Sequence, residues 1–114
     1  MSDLYDLSFL KQMLDDNEEE LKTMVKMFVE LSPQTFKEIQ EAANNGNWVS
    51  AGDLAHKLKS SLRIMGLNDL AKTALVIETE GRNNRNFGEI KNKIKELDES
   101  LSAVVEAMRA DFGF

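Results

Sequence analysis

Cysteine is absent from the 114 residues, which excludes disulfides, zinc ribbons, iron–sulfur clusters and thiol catalysis. Histidine occurs once, so paired-histidine metal sites and H-E-x-x-H proteases are excluded as well. One proline and six glycines leave few places where a helix is obliged to stop. No glycine-rich loop of the kind that cradles nucleotide phosphates is present, so ATP binding is not expected. Positive charge is in the minority: 14 Lys and Arg against 20 Asp and Glu give a net charge of −6. Nucleic-acid phosphates require a basic footprint, and nucleic acid is therefore not an expected partner. No apolar run approaches the roughly 20 residues of a membrane span. The opening residues Met1-Ser2-Asp3-Leu4 have neither the charged nor the apolar region of a signal peptide. A cytoplasmic protein without membrane association is expected.

What is present points to helices. The length suits one domain spanning 1–114, and such a chain buries roughly two-thirds of its unfolded surface without a metal or disulfide staple. Apolar residues recur at spacings of three and four, and no useful stretch alternates apolar and polar. Leu4, Leu7, Leu10 and Leu14 predict a short first helix ending near Asp15-Asp16-Asn17. A second helix runs from about Glu18 to Asn44, with the stripe Leu21, Met24, Val25, Phe28, Leu31, Phe36, Ile39 and Ala43. Pro33 lies inside that stripe and predicts a kink or break near Leu31-Ser32. Asn47 is placed to cap a third helix, Trp48 to Met65, which Gly66 ends. Asn68 is placed to cap a fourth, Asp69 to about Gly81, with Leu70, Ala71, Ala74, Leu75 and Ile77 as its apolar positions. Arg82 to Gly88 reads as a loop. The last helix runs from about Glu89 to Asp111, with the stripe Ile90, Ile94, Leu97, Leu101, Val104, Val105 and Met108. Four long helices, each with one apolar stripe and short loops between them, pack as an antiparallel up-down-up-down bundle, and the short first helix caps one end.

Functional information concentrates in the third helix. At about 100° per residue, Leu54, Leu62, Met65, Ala51 and Ala55 fall within about 60° of Leu58 and form the buried face. His56, Lys59, Ser60 and Arg63 fall about 100° to 200° from Leu58 and are assigned to the solvent face. His56 neighbours Lys59 at i+3 and Ser60 at i+4. A lone histidine on a solvated helix face is ordinarily just a polar residue. This one is set apart by its company of Lys57, Lys59, Arg63 and the small Ser60 and Ser61 in an otherwise acidic protein. Neutral imidazole is a nucleophile, and cations beside small side chains suit an incoming phosphoryl group.

The string Ala55-His56-Lys57-Leu58-Lys59-Ser60-Ser61-Leu62-Arg63-Ile64-Met65-Gly66 resembles the signature of histidine-containing phosphotransfer (HPt) domains. That signature runs His, any residue, Leu, Lys, a small residue, a second small residue, then Gly ten positions after the His. The helix order and length resemble the family over nearly the whole chain. The resemblance implies that His56 carries a phosphoryl group on Nε2 and that Lys59 offsets charge on the phosphoryl oxygens. Leu58 and Leu62 then belong to the core face, and Gly66 permits the tight connection. Ser60 departs from the family's usual glycine, which leaves room for a partner; its hydroxymethyl narrows access, and its hydroxyl is available to a phosphate. Arg63 has no family role to carry over and is a secondary contact on physical grounds only.

In-line phosphoryl transfer is mainly positioning and charge stabilisation. The chain offers a nucleophile and a cation, but Asp53 alone is a poor magnesium site. No metal site and no cofactor are expected in this chain. The resemblance implies a partner that supplies the rest: the receiver domain of a response regulator or of a hybrid sensor histidine kinase, with its aspartate and bound Mg²⁺. The protein is then a phosphocarrier of two-component relays without autokinase activity, expected as a free-standing monomer. Val49, close to His56 on the wheel, with Met13 and Met27, offers a flexible apolar rim for docking. Met24 and Trp48 are expected to pack, Trp48 at an end of the bundle. Two other readings compete: a helical adaptor that binds a signalling partner without transferring phosphate, and a metal-dependent bundle enzyme. The second needs Glu-x-x-His pairs on inward faces, whereas Asp53 and His56 point away from the core stripe.

Overall fold

The computed structural model describes residues 4–114, so Met1, Ser2 and Asp3, on which part of the signal-peptide reading falls, lie outside the described residues. Among them are five helices and no strand: α1 (Ser8–Met13), α2 (Glu18–Asn44), α3 (Trp48–Ile64), α4 (Asn68–Arg82) and α5 (Phe87–Phe112). The architecture is an all-α antiparallel bundle of four helices with a short extra N-terminal helix. α2 packs against α3 and α5, and α4 packs against the same two, which gives an up-down-up-down ring. The 27 and 26 residues of α2 and α5 amount to about 40 Å of helix each and set the 42 Å long axis. α3 and α4 are shorter.

The stripes behave as their spacing requires. Val25, Ile39, Ala51, Ala55, Leu62, Ile77, Ile90 and Met108 are fully shielded from solvent. Val29, off the predicted α2 stripe, joins them, whereas the predicted Leu31 and Leu75 are exposed. At α2 the Asn17 side chain accepts from the Glu20 backbone N–H, capping the helix as three acidic residues enter its positive end. Asn47 stands at the N-cap of α3 but its side chain makes no cap bond; α4 starts one residue earlier than expected, with Leu67 at its N-cap. The α4–α5 loop is shorter than predicted, because Arg82 completes α4 and Phe87 opens α5.

Pro33 does not break α2, which runs unbroken through it. Proline has no N–H, so the carbonyl four residues earlier, that of Val29, loses its helical donor. Arg109 of α5 supplies one: its Nη2 donates to the Val29 carbonyl at 3.1 Å. The orphaned acceptor is satisfied from a neighbouring helix, and the break expected from the sequence is averted.

The N-terminal segment closes one end. Tyr5, Leu7 and Leu10 are buried in the core, and the Tyr5 hydroxyl donates to the Asp111 carboxylate near the end of α5. Gly66, at φ +71°, turns the chain between α3 and α4 directly beneath the Asp6 carbonyl, where a Cβ would collide with it. At the other end Trp48 stacks on Phe87 with ring centroids 4.6 Å apart, an end-of-bundle packing role. Met24 packs, partly buried, against the core.

Candidate functional site

The site is built where α3 and α4 approach most closely. A Cβ on Gly52 would lie 2.9 Å from the backbone N of Arg82 and O of Glu78, and one on Gly81 would lie 2.6 Å from the Trp48 carbonyl. Only glycine at both positions lets the two backbones come this close. The close approach brings the outer flank of α3, with His56 and Lys59, over the α4 residues Glu78 and Arg82.

Glu78 is the hub. Its side chain is 10% exposed and collects three donors. Lys59 Nζ donates to Oε1 at 2.5 Å. His56 Nδ1 lies 2.9 Å from Oε2, and Arg82 Nη1 donates to the same oxygen at 2.8 Å. Arg82 Nε donates in turn to Asp53 Oδ1 at 2.8 Å. Burial pushes the Glu78 carboxyl up, but the hydrogen bonds from Lys59 and His56, with the Lys59 charge, outweigh it and hold its pKa below the usual value of 4.5. An ionised carboxylate only accepts hydrogen bonds. The network therefore assigns the ring proton to Nδ1, which leaves the lone pair of neutral His56 on Nε2, at the ring edge facing away from Glu78. The His56 side chain is 51% exposed.

The structure corrects the placement of Lys59. It is buried, not solvent-facing: its side chain is only 9% exposed. The reason is tertiary. At about 100° from Leu58, Lys59 lies on the flank that α4 covers, so the buried arc of α3 widens to include Gly52 and Lys59. The expected basic surround is also altered, since Lys59 and Arg82 are matched by Glu78 and Asp53.

The other predicted residues divide clearly. Leu58 and Leu62 are in the core and Gly66 ends α3 in the left-handed conformation. Ser60 is exposed, and its hydroxyl donates to the His56 carbonyl at 3.3 Å. Arg63 is exposed two turns beyond His56, and Lys57 is exposed as well. Val49, Met13 and Met27 are about half exposed and stand outside the hydrogen-bonded network.

Glu78 and Arg82 were not among the sequence-predicted site residues. A signal for Glu78 exists: Ala71, Ala74, Glu78 and Gly81 are spaced three, four and three apart, which puts a carboxylate on the apolar stripe of α4. Arg82 follows at i+4.

A family model described as "Hpt domain" matches residues 23–109, from the first turns of α2 to the last of α5. No curated protein and no solved structure gives a match. Among the described residues no helix is long and apolar enough to cross a membrane.

Proposed function

The chain belongs to the Hpt domain family, phosphocarrier modules of two-component phosphorelays that work with response-regulator receiver domains, and from that premise we propose that His56 is its phosphorylated residue. The carrying observation is the clamp at 2.9 Å between Nδ1 and a buried, ionised Glu78. It fixes the ring orientation and presents the Nε2 lone pair to solvent.

Each residue then has a task. Nε2 attacks the phosphorus of the receiver's aspartyl phosphate. The N–P bond forms as the P–O bond breaks, and the bonding pair leaves with the aspartate carboxylate. The ring keeps its Nδ1 proton and becomes cationic, and Glu78 stabilises that charge. The reverse step expels a neutral imidazole. Lys59 holds Glu78 in place from the buried side and contributes positive charge beneath the ring. Mg²⁺ held by the receiver would supply charge neutralisation at the phosphoryl oxygens. Val49, Met13 and Met27 belong to the rim on which the receiver settles. The protein acts as a cytoplasmic monomer with no kinase activity of its own.

The test is incubation with a phosphorylated receiver. Wild type is expected to gain a phosphate that is labile in acid and stable in base, and His56→Gln to gain none. Equal labelling of the two would overturn the assignment and favour the adaptor reading.

A further inference from the structure

The two oxygens of the Glu78 carboxylate are held differently. Asp53, His56 and Lys59 stand about one turn apart along α3, and each reaches across to α4: His56 and Lys59 to Glu78, Asp53 to Arg82. Oε1 is held by Lys59, at 2.5 Å and shielded from solvent. Oε2, the oxygen that meets His56 Nδ1, is held by Arg82. Arg82 is itself moored: Nη1 donates to Glu78 Oε2 and Nε to Asp53 Oδ1, both at 2.8 Å. The terminal torsion of a glutamate is soft. With Lys59 as its only cation, the carboxylate is free to turn Oε2 away from the ring toward the ammonium. The anchor that prevents this is the exposed one, since the Arg82 and Asp53 side chains are 44% and 61% exposed against 9% for Lys59.

We infer that Arg82, moored by Asp53, is a positioning residue that keeps Glu78 Oε2 on His56 Nδ1 and so fixes the ring tautomer. The inference rests on the phosphocarrier reading of His56, in which the lone pair on Nε2 is the reacting one. Neutral imidazole has two tautomers, and the acceptor facing one nitrogen decides which of them carries the proton. Arg82 acts wholly on the Nδ1 side of the ring, through Glu78, and touches no reacting atom. Its planar fork spans two carboxylates on different helices at once, a geometry that a point ammonium does not supply. Exposed ion pairs are weak and screened by salt. Control of the tautomer thus rests on the most adjustable contact of the network, while the buried Lys59 contact holds the carboxylate in place.

The test uses the full chain isotopically labelled in nitrogen, at a pH where the ring is neutral. The single histidine gives one pair of ring-nitrogen resonances, and their NMR shifts report the tautomer directly. Wild type is expected to carry the proton on Nδ1. In Arg82→Ala the ratio of the Nδ1–H to the Nε2–H form should fall about 3-fold, and acceptance from phosphoramidate, a small phosphodonor that needs no receiver, should slow about 2-fold. Arg82→Lys should recover part of the ratio, because it restores charge without the fork. Asp53→Ala should shift the ratio the same way by a smaller factor. Salt at about 1 M, where the screening length is about 3 Å, should bring wild type toward Arg82→Ala and leave that variant where it is. An unchanged ratio in Arg82→Ala would overturn the positioning role, whether or not acceptance slowed. An unchanged ratio in Asp53→Ala would overturn the mooring. A wild-type chain with its proton on Nδ1 that takes no phosphoryl group from phosphoramidate or from a phosphorylated receiver would overturn the carrier reading and leave the tautomer assignment standing, so the two failures are distinguishable.

Discussion

Replacing Lys59 probes the buried half of the network, and its expected effect can be worked from the contacts. The Lys59 and Glu78 side chains are 9% and 10% exposed, with Nζ and Oε1 2.5 Å apart. Removing one partner of a buried pair typically costs about 3–5 kcal/mol, because the other charge is stranded. Here Glu78 keeps two donors, His56 Nδ1 and Arg82 Nη1, so the loss should be nearer that of a charged hydrogen bond, about 1.5–3 kcal/mol. For a domain of this size each kcal/mol moves the melting temperature by about 4 °C. Lys59→Met, which keeps most of the stem packing, should therefore melt about 6–12 °C below wild type at neutral pH. Lys59→Met with Glu78→Leu should recover most of the deficit, since a buried pair exchanged for apolar residues is often neutral. The pH dependence has a definite sign. The pKa of Glu78 is depressed in the folded state, so the pair's contribution is present above 4.5 and is lost as pH falls through the lower folded value. The gap between wild type and Lys59→Met should close in acid. Differential scanning calorimetry across pH measures both. A shift below about 2 °C at neutral pH would refute the buried pair and return Lys59 to the solvent face.

Two further outcomes test other parts of the fold. Burial first, then the hydrogen bond to Asp111 and its charge, raise the pKa of the Tyr5 phenol from 10.0 to about 12. The N-terminal closure is then fully stabilised by this group below pH 10.0 and loses that stabilisation as pH rises through about 12. Tyr5 is the only tyrosine, so an ultraviolet phenolate titration reads it directly; a midpoint near 10 would show the segment undocked. At the other contact, Arg109→Met should cost about 1 kcal/mol by orphaning the Val29 carbonyl, and less in a Pro33→Ala background, where a backbone N–H returns to that carbonyl. Denaturant unfolding of the two single variants and the double variant gives the coupling, and strict additivity would refute the compensation.

Much of this was legible in the sequence because it is local. The period of the apolar residues marks α2, α3, α4 and α5, since a helix must bury one stripe. Glycine at position 66 marks a left-handed turn. The His56 string marks the candidate nucleophile because its neighbours share one helix face. Harder to read was anything requiring knowledge of which helix lies beside which. Leu31 and Leu75 sit on the margins of their stripes, where burial depends on the neighbouring helix. Pro33 taken with its neighbours alone predicts a kink or break, because its remedy, Arg109, is 76 positions away on α5.

The sequence by itself determined the helices, their antiparallel order and the histidine at the centre of the site, all consequences of spacing along one chain. Only the tertiary structure decided what that histidine leans on. The contact of Gly52 with α4 and of Gly81 with α3 lets a carboxylate 22 residues away reach Nδ1. The same contact shelters Lys59 and leaves Arg82 at the surface, because burial is a property of the packed helix pair and not of one helix's wheel.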